Sequence, residues 1–314
     1  MLIGLLVTII IFIGYIIWEN NRITIVDQEV EIKGLPEEFN GFSILQISDL
    51  HEEVFGENQE KLIETINSIN YDAIVFTGDM LDGIKSNNYK PFYSILDGIT
   101  NKKNAWYVPG NADPESYHVT EGIEKSEFVQ GLEKRGVTFL ESMDTVELSG
   151  TKINFVNFEL AIGNIGRKNG IPNPSYSSSK KYITYQKGLL KKFDKITDEN
   201  VIIALNHYPV VDQRIDQINN DSKLEMKDFD LLIAGHYHGG QIRLPLVGAL
   251  FVPEAWSDNG GFFPPQDRVK GLWEYDGIQQ YVSTGLGSSD AITFLNFRFF
   301  NPPQINVLKL KKAD

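Results

Sequence analysis

The chain has 314 residues, with 29 Lys and Arg against 42 Asp and Glu, for a net charge of -13. Its 42% hydrophobic, 11% aromatic and 23% charged residues exclude a disordered, collagen-like or disulfide-scaffold chain. The sequence contains no cysteine, which excludes thiol nucleophiles, thiolate zinc sites and iron–sulfur clusters, so nitrogen and oxygen atoms must hold any metal. The acidic balance argues against a nucleic-acid backbone as the main partner.

An uncharged segment of mostly aliphatic and aromatic residues runs from Leu2 to Trp18. At a rise of ~1.5 Å per residue it spans roughly 25 Å, enough for a thin bilayer. No basic residue precedes the segment and no small-residue cleavage pattern follows it, so we interpret residues 1–19 as an uncleaved transmembrane anchor. A buried core helix and a cleavable signal peptide are the alternatives. The flanking charges do not fix the orientation, and we expect the domain on the extracytoplasmic side of the cell membrane.

After a connecting segment, residues 20–40, we expect a single domain over residues 41–314, in which short apolar strands alternate with helices. The predicted strands are Ile23–Ile32, Ser43–Ser48, Ala73–Thr77, Ala105–Val108, Lys152–Phe158, Val201–Leu205, Leu231–Ala234, Gln241–Leu244, Gln280–Thr284 and Ile305–Leu310. Apolar periodicity predicts helices over Glu57–Asn70, around Tyr93, Ile95 and Leu96, and over Tyr185–Ile196. The alternation predicts an α/β fold of two packed sheets.

Five polar motifs stand where predicted strands end. They are Asp49-Leu50-His51, Gly78-Asp79-Met80-Leu81-Asp82, Gly110-Asn111-Ala112-Asp113, Asn206-His207 and Gly235-His236-Tyr237-His238-Gly239-Gly240. In open α/β sheets ligands bind at this edge, because the strands deliver side chains into one crevice. Each motif alone is a common turn or cap, but together they contain four of the five histidines and predict one site. His118 lies outside them.

Carboxylate, amide and imidazole ligands suit divalent Mn, Fe, Zn, Ni or Mg better than thiophilic ions. Seven such side chains predict two metal ions that share one carboxylate. The predicted ligands are Asp49, His51, Asp79, Asn111, His207, His236 and His238. Two metals ~3.5 to 4 Å apart can hold a bridging hydroxide in line with a phosphorus, which predicts phosphoester hydrolysis.

The motifs, in this order, resemble those of the calcineurin-like metallophosphoesterases. Gly235–Gln241, Ser283–Gly287 and Asn301–Ile305 resemble the membrane-anchored bacterial branch of that family, which includes YkuE- and YaeI-like phosphodiesterases. The resemblance implies an αββα sandwich, two mixed sheets flanked by helices, behind the anchor. It also implies cleavage of a phosphodiester or pyrophosphate bond, and members of the branch are often linked with UDP-2,3-diacylglucosamine.

The resemblance also divides the ligands between the metals. It implies Asp49, His51 and His238 on one ion, Asn111, His207 and His236 on the other, and Asp79 between them. Asp79, Asn111 and His207 then act in catalysis with a metal-bridging hydroxide that attacks the phosphorus directly. Asp82 and Asp113 are expected to hold a ligand or a loop by hydrogen bonds, with simple loop capping as the alternative.

One position departs from the family pattern. Where the family usually has a histidine after the Gly-Asn pair, this chain has Ala112. The resemblance assigns that histidine to leaving-group protonation or charge stabilisation, which alanine cannot provide. General acid catalysis contributes ~10² to 10⁴-fold, so a good leaving group such as a phosphate would still depart. Three interpretations stay open: a subfamily that works without this group, a substitute such as His118, or a site altered here.

Two further segments bear on the substrate. Between Pro245 and Pro265 the chain is rich in apolar side chains: Leu246, Val247, Leu250, Phe251, Val252, Trp256, Phe262 and Phe263. They could admit an acyl chain or contact the bilayer, and the alternative is that they cover the second sheet. A lysine cluster could meet anionic headgroups or phosphates, and the alternative is a solvated helix face. It comprises Lys180, Lys181, Lys187, Lys191 and Lys192.

The predicted function is therefore a membrane-anchored, binuclear metal hydrolase. We expect lipid-linked or nucleotide-sugar substrates ahead of soluble monoesters. A broad-specificity phosphatase or nucleotide phosphodiesterase is the nearest alternative. A weakly active metal-binding sensor or scaffold is a second alternative, based on Ala112.

Overall fold

The computed structural model describes residues 1–166, 174–196, 201–253, 259–289 and 295–313. The α-helices are α1 (Leu2–Asn20), α2 (Glu60–Asn67), α3 (Lys90–Gly98), α4 (Glu127–Lys134), α5 (Phe158–Ala161), α6 (Lys180–Leu190) and α7 (Asp212–Asn220). The strands are β1 (Thr24–Ile32), β2 (Ser43–Ile47), β3 (Ala73–Phe76), β4 (Ala105–Tyr107), β5 (Tyr117–Val119), β6 (Ile123–Lys125), β7 (Thr138–Phe139), β8 (Met143–Leu148), β9 (Thr151–Asn157), β10 (Val201–Leu205), β11 (Leu231–Ala234), β12 (Arg243–Leu244), β13 (Gly248–Ala249), β14 (Gly271–Tyr275), β15 (Ile278–Val282) and β16 (Gln304–Lys312). Short 3₁₀ turns lie at Glu37–Phe39, Glu57–Gln59, Phe193–Lys195, His238–Gly240 and Gln266–Arg268.

Most strands belong to two six-stranded sheets. The first has the order β1-β16-β2-β3-β4-β7 and the second the order β14-β15-β11-β10-β9-β8. Both are mixed, because β16 runs antiparallel to β2 in the first sheet, and β14 and β8 run antiparallel to their neighbours in the second. Strands β5 and β6 form a separate hairpin, and so do β12 and β13.

The two sheets pack face to face, with helices outside. On β2, Ile44 contacts the core between the sheets, whereas Leu45 and Ile47 contact the core under α2, α3 and α4. This alternation follows from the two-residue period of a strand. Between the sheets, the rings of Trp106 and Phe155 stack with centroids 4.2 Å apart. Helices α5 and α7 cover the outer face of the second sheet, which confirms the predicted αββα sandwich.

The five predicted strands that precede the polar motifs agree with the observed strands to within one residue. The predicted strand Gln241–Leu244 is reduced to β12, because Gly239, Gly240 and Gln241 have positive φ angles that an extended strand does not allow. Helix α6 begins at Lys180, before the predicted start at Tyr185.

The segment between α1 and β2 contains strand β1, which lies at the edge of the first sheet. It pairs in parallel with β16, from Thr24 beside Gln304 to Ile32 beside Lys312. Helix α1 has the length and composition of a membrane anchor or a signal sequence, and 6% of its most apolar window is buried.

Candidate metal centre

The carboxyl ends of β2, β3, β4, β10 and β11 carry the polar motifs to one edge of the sandwich. Five candidate ligands there have φ angles between 47° and 70°: Asp49, His51, Asp79, His236 and His238. Each such left-handed residue costs on the order of 1–3 kcal/mol, and residues of this kind cluster at functional sites. Two loops also meet closely, since a Cβ on Gly78 would lie 2.4 Å from the backbone nitrogen of Gly110.

One ligand group consists of Asp49, His51 and His238, whose ligand atoms lie within 4.8 Å of one another. All three side chains are buried, and Nε2 of His238 lies 3.5 Å from Oδ1 of Asp49. Nδ1 of His238 donates to the carbonyl oxygen of Gly287 at 3.1 Å. Since a carbonyl only accepts, Nε2 of the neutral ring keeps its lone pair for a metal.

The second group consists of Asp79, His207 and His236. Nδ1 of His207 donates to the carbonyl oxygen of Thr77 at 2.8 Å, and Nε2 of His236 donates to that of Pro253 at 3.0 Å. The opposite ring nitrogens, Nε2 of His207 and Nδ1 of His236, then face each other 3.2 Å apart.

Asn111 and Asp79 add oxygen atoms to this second group. Oδ1 of Asn111 and Oδ2 of Asp79 each lie 3.2 Å from Nε2 of His207. Three potential ligand atoms thus converge on Nε2 of His207, and a divalent metal can replace the proton on this nitrogen, so these residues fit a divalent metal.

Asp79 lies between the two groups. Its Oδ2 atom is 3.5 Å from Nε2 of His51, in addition to its contact with His207. Its Oδ1 atom accepts a hydrogen bond from the backbone nitrogen of Ala112 at 2.7 Å. One carboxylate oxygen is therefore held by the protein, and the other faces both groups.

A buried polar atom without a partner supports a metal in the first group as well. Among the described residues, Nε2 of His51 is buried and makes no hydrogen bond. Such an atom would be costly unless a ligand satisfied it.

The electrostatics of the centre also fit a cation. Burial raises the pKa of Asp49, and the nearby Asp79 carboxylate adds to that rise. Burial alone would lower the pKa of His207, but the Asp79 carboxylate overcomes it and raises that pKa to about 9. Burial and the neighbouring His207 lower the pKa of His236 to about 3. Positive charge is thus favoured beside Asp79.

Comparison with known proteins agrees with this geometry. The family model of calcineurin-like phosphoesterases matches residues 42–240, which include every candidate ligand. The chain belongs to this family. It is therefore a metal-dependent hydrolase of phosphoesters.

Three relatives are similar to this phosphoesterase. The uncharacterized metallophosphoesterase YkuE of Bacillus subtilis (strain 168) is 28% identical over 94% of this chain and 88% of its own length. Phosphodiesterase YaeI of Escherichia coli (strain K12) is 36% identical over 29% of this chain and 30% of its own length. UDP-2,3-diacylglucosamine pyrophosphatase LpxG of Chlamydia muridarum (strain MoPn / Nigg) is 24% identical over 88% of this chain and 86% of its own length.

Two aspartates support the phosphoesterase site in different ways. Oδ1 of Asp82 lies 3.2 Å from Nδ1 of His51 and so orients a candidate ligand. The Asp113 carboxylate instead accepts hydrogen bonds from the loops that carry the ligands. Its donors are the backbone nitrogens of Asp79, Met80, Leu81 and Gly110 and the hydroxyl of Tyr107.

The position of the usual family histidine is occupied by a short side chain whose backbone holds Asp79. Ala112 is half-buried at the site, whereas His118 is exposed on β5, opposite Glu124 of β6. An exposed hairpin residue is not a substitute for a buried group beside the ligands.

Arg298 belongs to none of the polar motifs at the strand ends. Its fully buried guanidinium donates to the carbonyl oxygens of Thr284 at 2.6 Å and Gly287 at 2.7 Å. Gly287 also accepts from His238, and Asn301 donates to the carbonyl oxygen of His238 at 2.6 Å. In the sequence, Arg298 is a single basic residue within the aromatic stretch Phe297–Phe300, and this is the signal that could have indicated a buried arginine behind His238.

Two cavities adjoin the metal centre. One of about 290 Å³ lies beside Asn111 and His207, and Tyr117, Tyr176 and Tyr208 line its wall. The other, about 200 Å³, extends from His238 and has mostly apolar walls: Ile242, Leu250, Phe251, Pro253 and Phe262. A third cavity of about 540 Å³, near Phe229 and Ile202, contains no candidate ligand.

Two segments noted in the sequence are partly or wholly exposed. The five lysines of the α6 cluster are all exposed, and Nζ of Lys181 donates to the carbonyl oxygen of Thr120 at 2.6 Å. Within the loop Pro245–Pro265, Val252 is buried, whereas Leu246 is fully exposed. Trp256 lies outside the described residues.

Proposed function

We propose that this protein hydrolyses a phosphodiester or pyrophosphate bond with two divalent metal ions, while α1 anchors it in the cell membrane. The position of Asp79 carries the proposal. One oxygen of its carboxylate lies within 3.5 Å of a ligand atom in each group, so a single side chain can join two ions. Asp49, His51 and His238 would hold one ion, and Asn111, His207 and His236 the other.

The protein's own contribution is preorganisation. When bound, two divalent ions supply a nucleophile from water at neutral pH and stabilise the charge that develops on the phosphate oxygens. The backbone nitrogen of Ala112 holds Asp79, and carbonyl oxygens hold the rings of His207, His236 and His238, so the ligands do not need to reorganise.

A lipid-linked or nucleotide-sugar diphosphate is the substrate class we favour. It is supported by the similarity to a relative named for cleaving UDP-2,3-diacylglucosamine, by the apolar helix α1 and by the apolar cavity beside His238. The absence of an acid at Ala112 also favours a good leaving group, such as the phosphate of a diphosphate.

The test is metal content by elemental analysis of the full chain in detergent, paired with hydrolysis of bis-p-nitrophenyl phosphate after addition of Mn²⁺. We expect two metals per chain. Asp79→Asn should lower both metal content and rate, the rate by more than ~100-fold, because loss of even an outer-shell partner costs 10–100-fold. Asp97→Asn, which changes an exposed carboxylate paired with Arg135, is the matched control and should leave both unchanged.

Other results separate the alternatives. Two metals without hydrolysis of monoester, diester or diphosphate reporters would favour a metal-binding sensor or scaffold. A preference for the monoester would favour a broad phosphatase. A chain that binds no metal would overturn the proposal.

A further inference from the structure

An exposed apolar surface lies beside the metal centre. We call it the apolar rim, and it consists of Leu244, Leu246, Val247, Phe262, Phe263 and Phe300. Leu246 is fully exposed, and Phe263 is 72% exposed. No charged side chain occurs in residues 244–253 or 259–265. Soluble proteins rarely expose contiguous apolar patches of this kind without a binding function.

Three residues of the apolar rim have positive φ angles, which are unusual for bulky side chains. Leu246, Phe263 and Phe300 have φ angles of 67°, 50° and 49°. Bulky residues rarely adopt the left-handed conformation, in which glycine and asparagine are normally found. Turns that could have been polar are thus occupied by large apolar groups that point away from the core.

The rim is connected to α1 through the segment Arg298–Phe300. Nδ2 of Asn20 donates to the carbonyl oxygen of Arg298 at 2.9 Å, and the backbone nitrogen of Arg298 donates to Oδ1 of Asn20 at 2.7 Å. The backbone nitrogen of Arg243 donates to the carbonyl oxygen of Phe299 at 2.9 Å. The end of α1, residues 298–300 and the β12–β13 hairpin are therefore held together.

Contacts with α1 give the depth of residues 299 and 300 relative to the membrane interface. The ring of Phe299 lies 5.5 Å from Phe12 and 5.7 Å from Tyr15, and that of Phe300 lies 5.4 Å from Tyr15. Phe12 precedes Trp18 by six residues, which is ~9 Å along a helix. Trp18, with the Arg22 guanidinium 4.6 Å from its ring, has the character of a membrane-interface residue. Residues 299 and 300 therefore lie ~4 to 9 Å deeper than the interface, the depth that interfacial apolar groups reach.

We propose that the apolar rim inserts into the headgroup and acyl boundary of the bilayer that α1 crosses, with membrane lipid as its partner. This inference rests on the anchoring by α1 proposed above. It adds a fixed orientation, because the apolar cavity runs from Phe262 of the rim to His238 of the metal centre. The centre then opens beside the lipid surface, where a lipid-linked diphosphate is presented.

The absence of cysteine allows a direct test with single labels on the full chain. Leu246→Cys and Phe263→Cys, labelled with the fluorophore NBD, are reconstituted in vesicles of palmitoyl-oleoyl phosphatidylcholine and phosphatidylglycerol, 3:1. Part of the phosphatidylcholine carries brominated acyl chains, which quench only fluorophores in or near the hydrocarbon. Ile9→Cys within α1 reports the anchor, and Glu147→Cys on β8 is the exposed control at the far edge of the second sheet.

We expect bromolipid to quench the Leu246 and Phe263 labels to at least half the extent of the Ile9 label, and to leave the Glu147 label unchanged. Quenching at Ile9 without quenching at Leu246 and Phe263 would refute insertion of the apolar rim, while anchoring by α1 would stand. Absence of quenching at all three positions would refute both insertion and anchoring.

Hydrolysis of bis-p-nitrophenyl phosphate, measured on the same samples, keeps these results apart from the catalytic proposal. Leu246 and Phe263 are exposed and do not line the cavity beside His238, so reporter turnover should match that of the unlabelled chain. Loss of turnover in every sample would refute the hydrolase proposal without affecting the quenching result.

Discussion

The metal centre and the apolar rim are adjacent, but one buries polar side chains and the other exposes apolar ones. In the centre, charged and imidazole side chains are buried, backbone carbonyls and the Asp82 carboxylate orient the imidazole rings, and Asp113 holds the loops that carry the ligands. In the rim, large apolar side chains are exposed, and the chain carries no charge across the two segments that form most of it. Each region reverses the usual distribution of polarity, and each reversal identifies a ligand: a cation in the first case and lipid in the second.

The contrast separates two requirements of the enzyme. Chemistry depends on a rigid, buried constellation, whereas access to substrate depends on an exposed surface that contributes little to folding. Substitutions in the metal centre should therefore change stability or turnover, whereas substitutions in the apolar rim should change membrane contact and leave stability and turnover nearly unchanged.

The largest effect on stability is expected for Asp113→Ala. The substitution leaves the backbone nitrogens of Asp79, Met80, Leu81 and Gly110 without an acceptor. Each buried orphan costs ~1–3 kcal/mol, so the free energy of unfolding should fall by about 3 kcal/mol or more, as measured by urea denaturation. Asp97→Ala at an exposed carboxylate is the control, and a similar small change for both variants would show that the centre is not held by Asp113.

An intermediate effect, confined to catalysis, is expected for Ala112→His. The backbone bond from residue 112 to Asp79 is retained, and the new imidazole can protonate a departing group. General acid catalysis contributes ~10² to 10⁴-fold, so turnover of an alkyl phosphodiester should rise at least ~10-fold. Bis-p-nitrophenyl phosphate, whose leaving group needs no proton, should change little. An alkyl diester rate that does not rise would mean that this subfamily has another solution at position 112.

The smallest effect in solution is expected for the double variant Leu246→Glu, Phe263→Glu. Both side chains are exposed, so unfolding free energy should change by less than about 0.5 kcal/mol, and reporter turnover should stay within about two-fold. An NBD label at Val247→Cys in this background should lose its quenching by bromolipid, because two carboxylates oppose insertion. Retained quenching would show that the rim does not determine the contact.

The centre could be predicted from sequence because strand ends impose it. Asp49, Asp79 and His207 follow apolar strands so short and uniform that their boundaries were predicted to within one residue. Parallel strands then bring their carboxyl ends to one edge, whatever the details of packing. The same rule explains why the candidate ligands could be distinguished from the other polar residues, because they lie directly after predicted strands.

Other elements are set by tertiary contacts that no local pattern contains. Arg298 is polar and yet fully buried, because carbonyl oxygens distant in sequence surround its guanidinium. Helix α4 was not predicted, although Ser126 caps it by accepting from the backbone nitrogen of Val129. The sequence of the apolar loop is compatible with sheet cover and with an exposed surface, and the exposure of Leu246 and Phe263 in the folded chain distinguishes the two.

The edge pairing of β1 with β16 has a consequence for how the protein is made. Among the described strands, β1 pairs with β16 alone, and β16 also separates β1 from β2. The first sheet therefore cannot close before β16, which follows its other described strands in chain order, has been synthesised. Helix α1, by contrast, precedes every strand of the domain in chain order. With α1 anchored as proposed above, the domain would fold at the lipid surface, and the β1 edge of its first sheet would be the end that is tethered there.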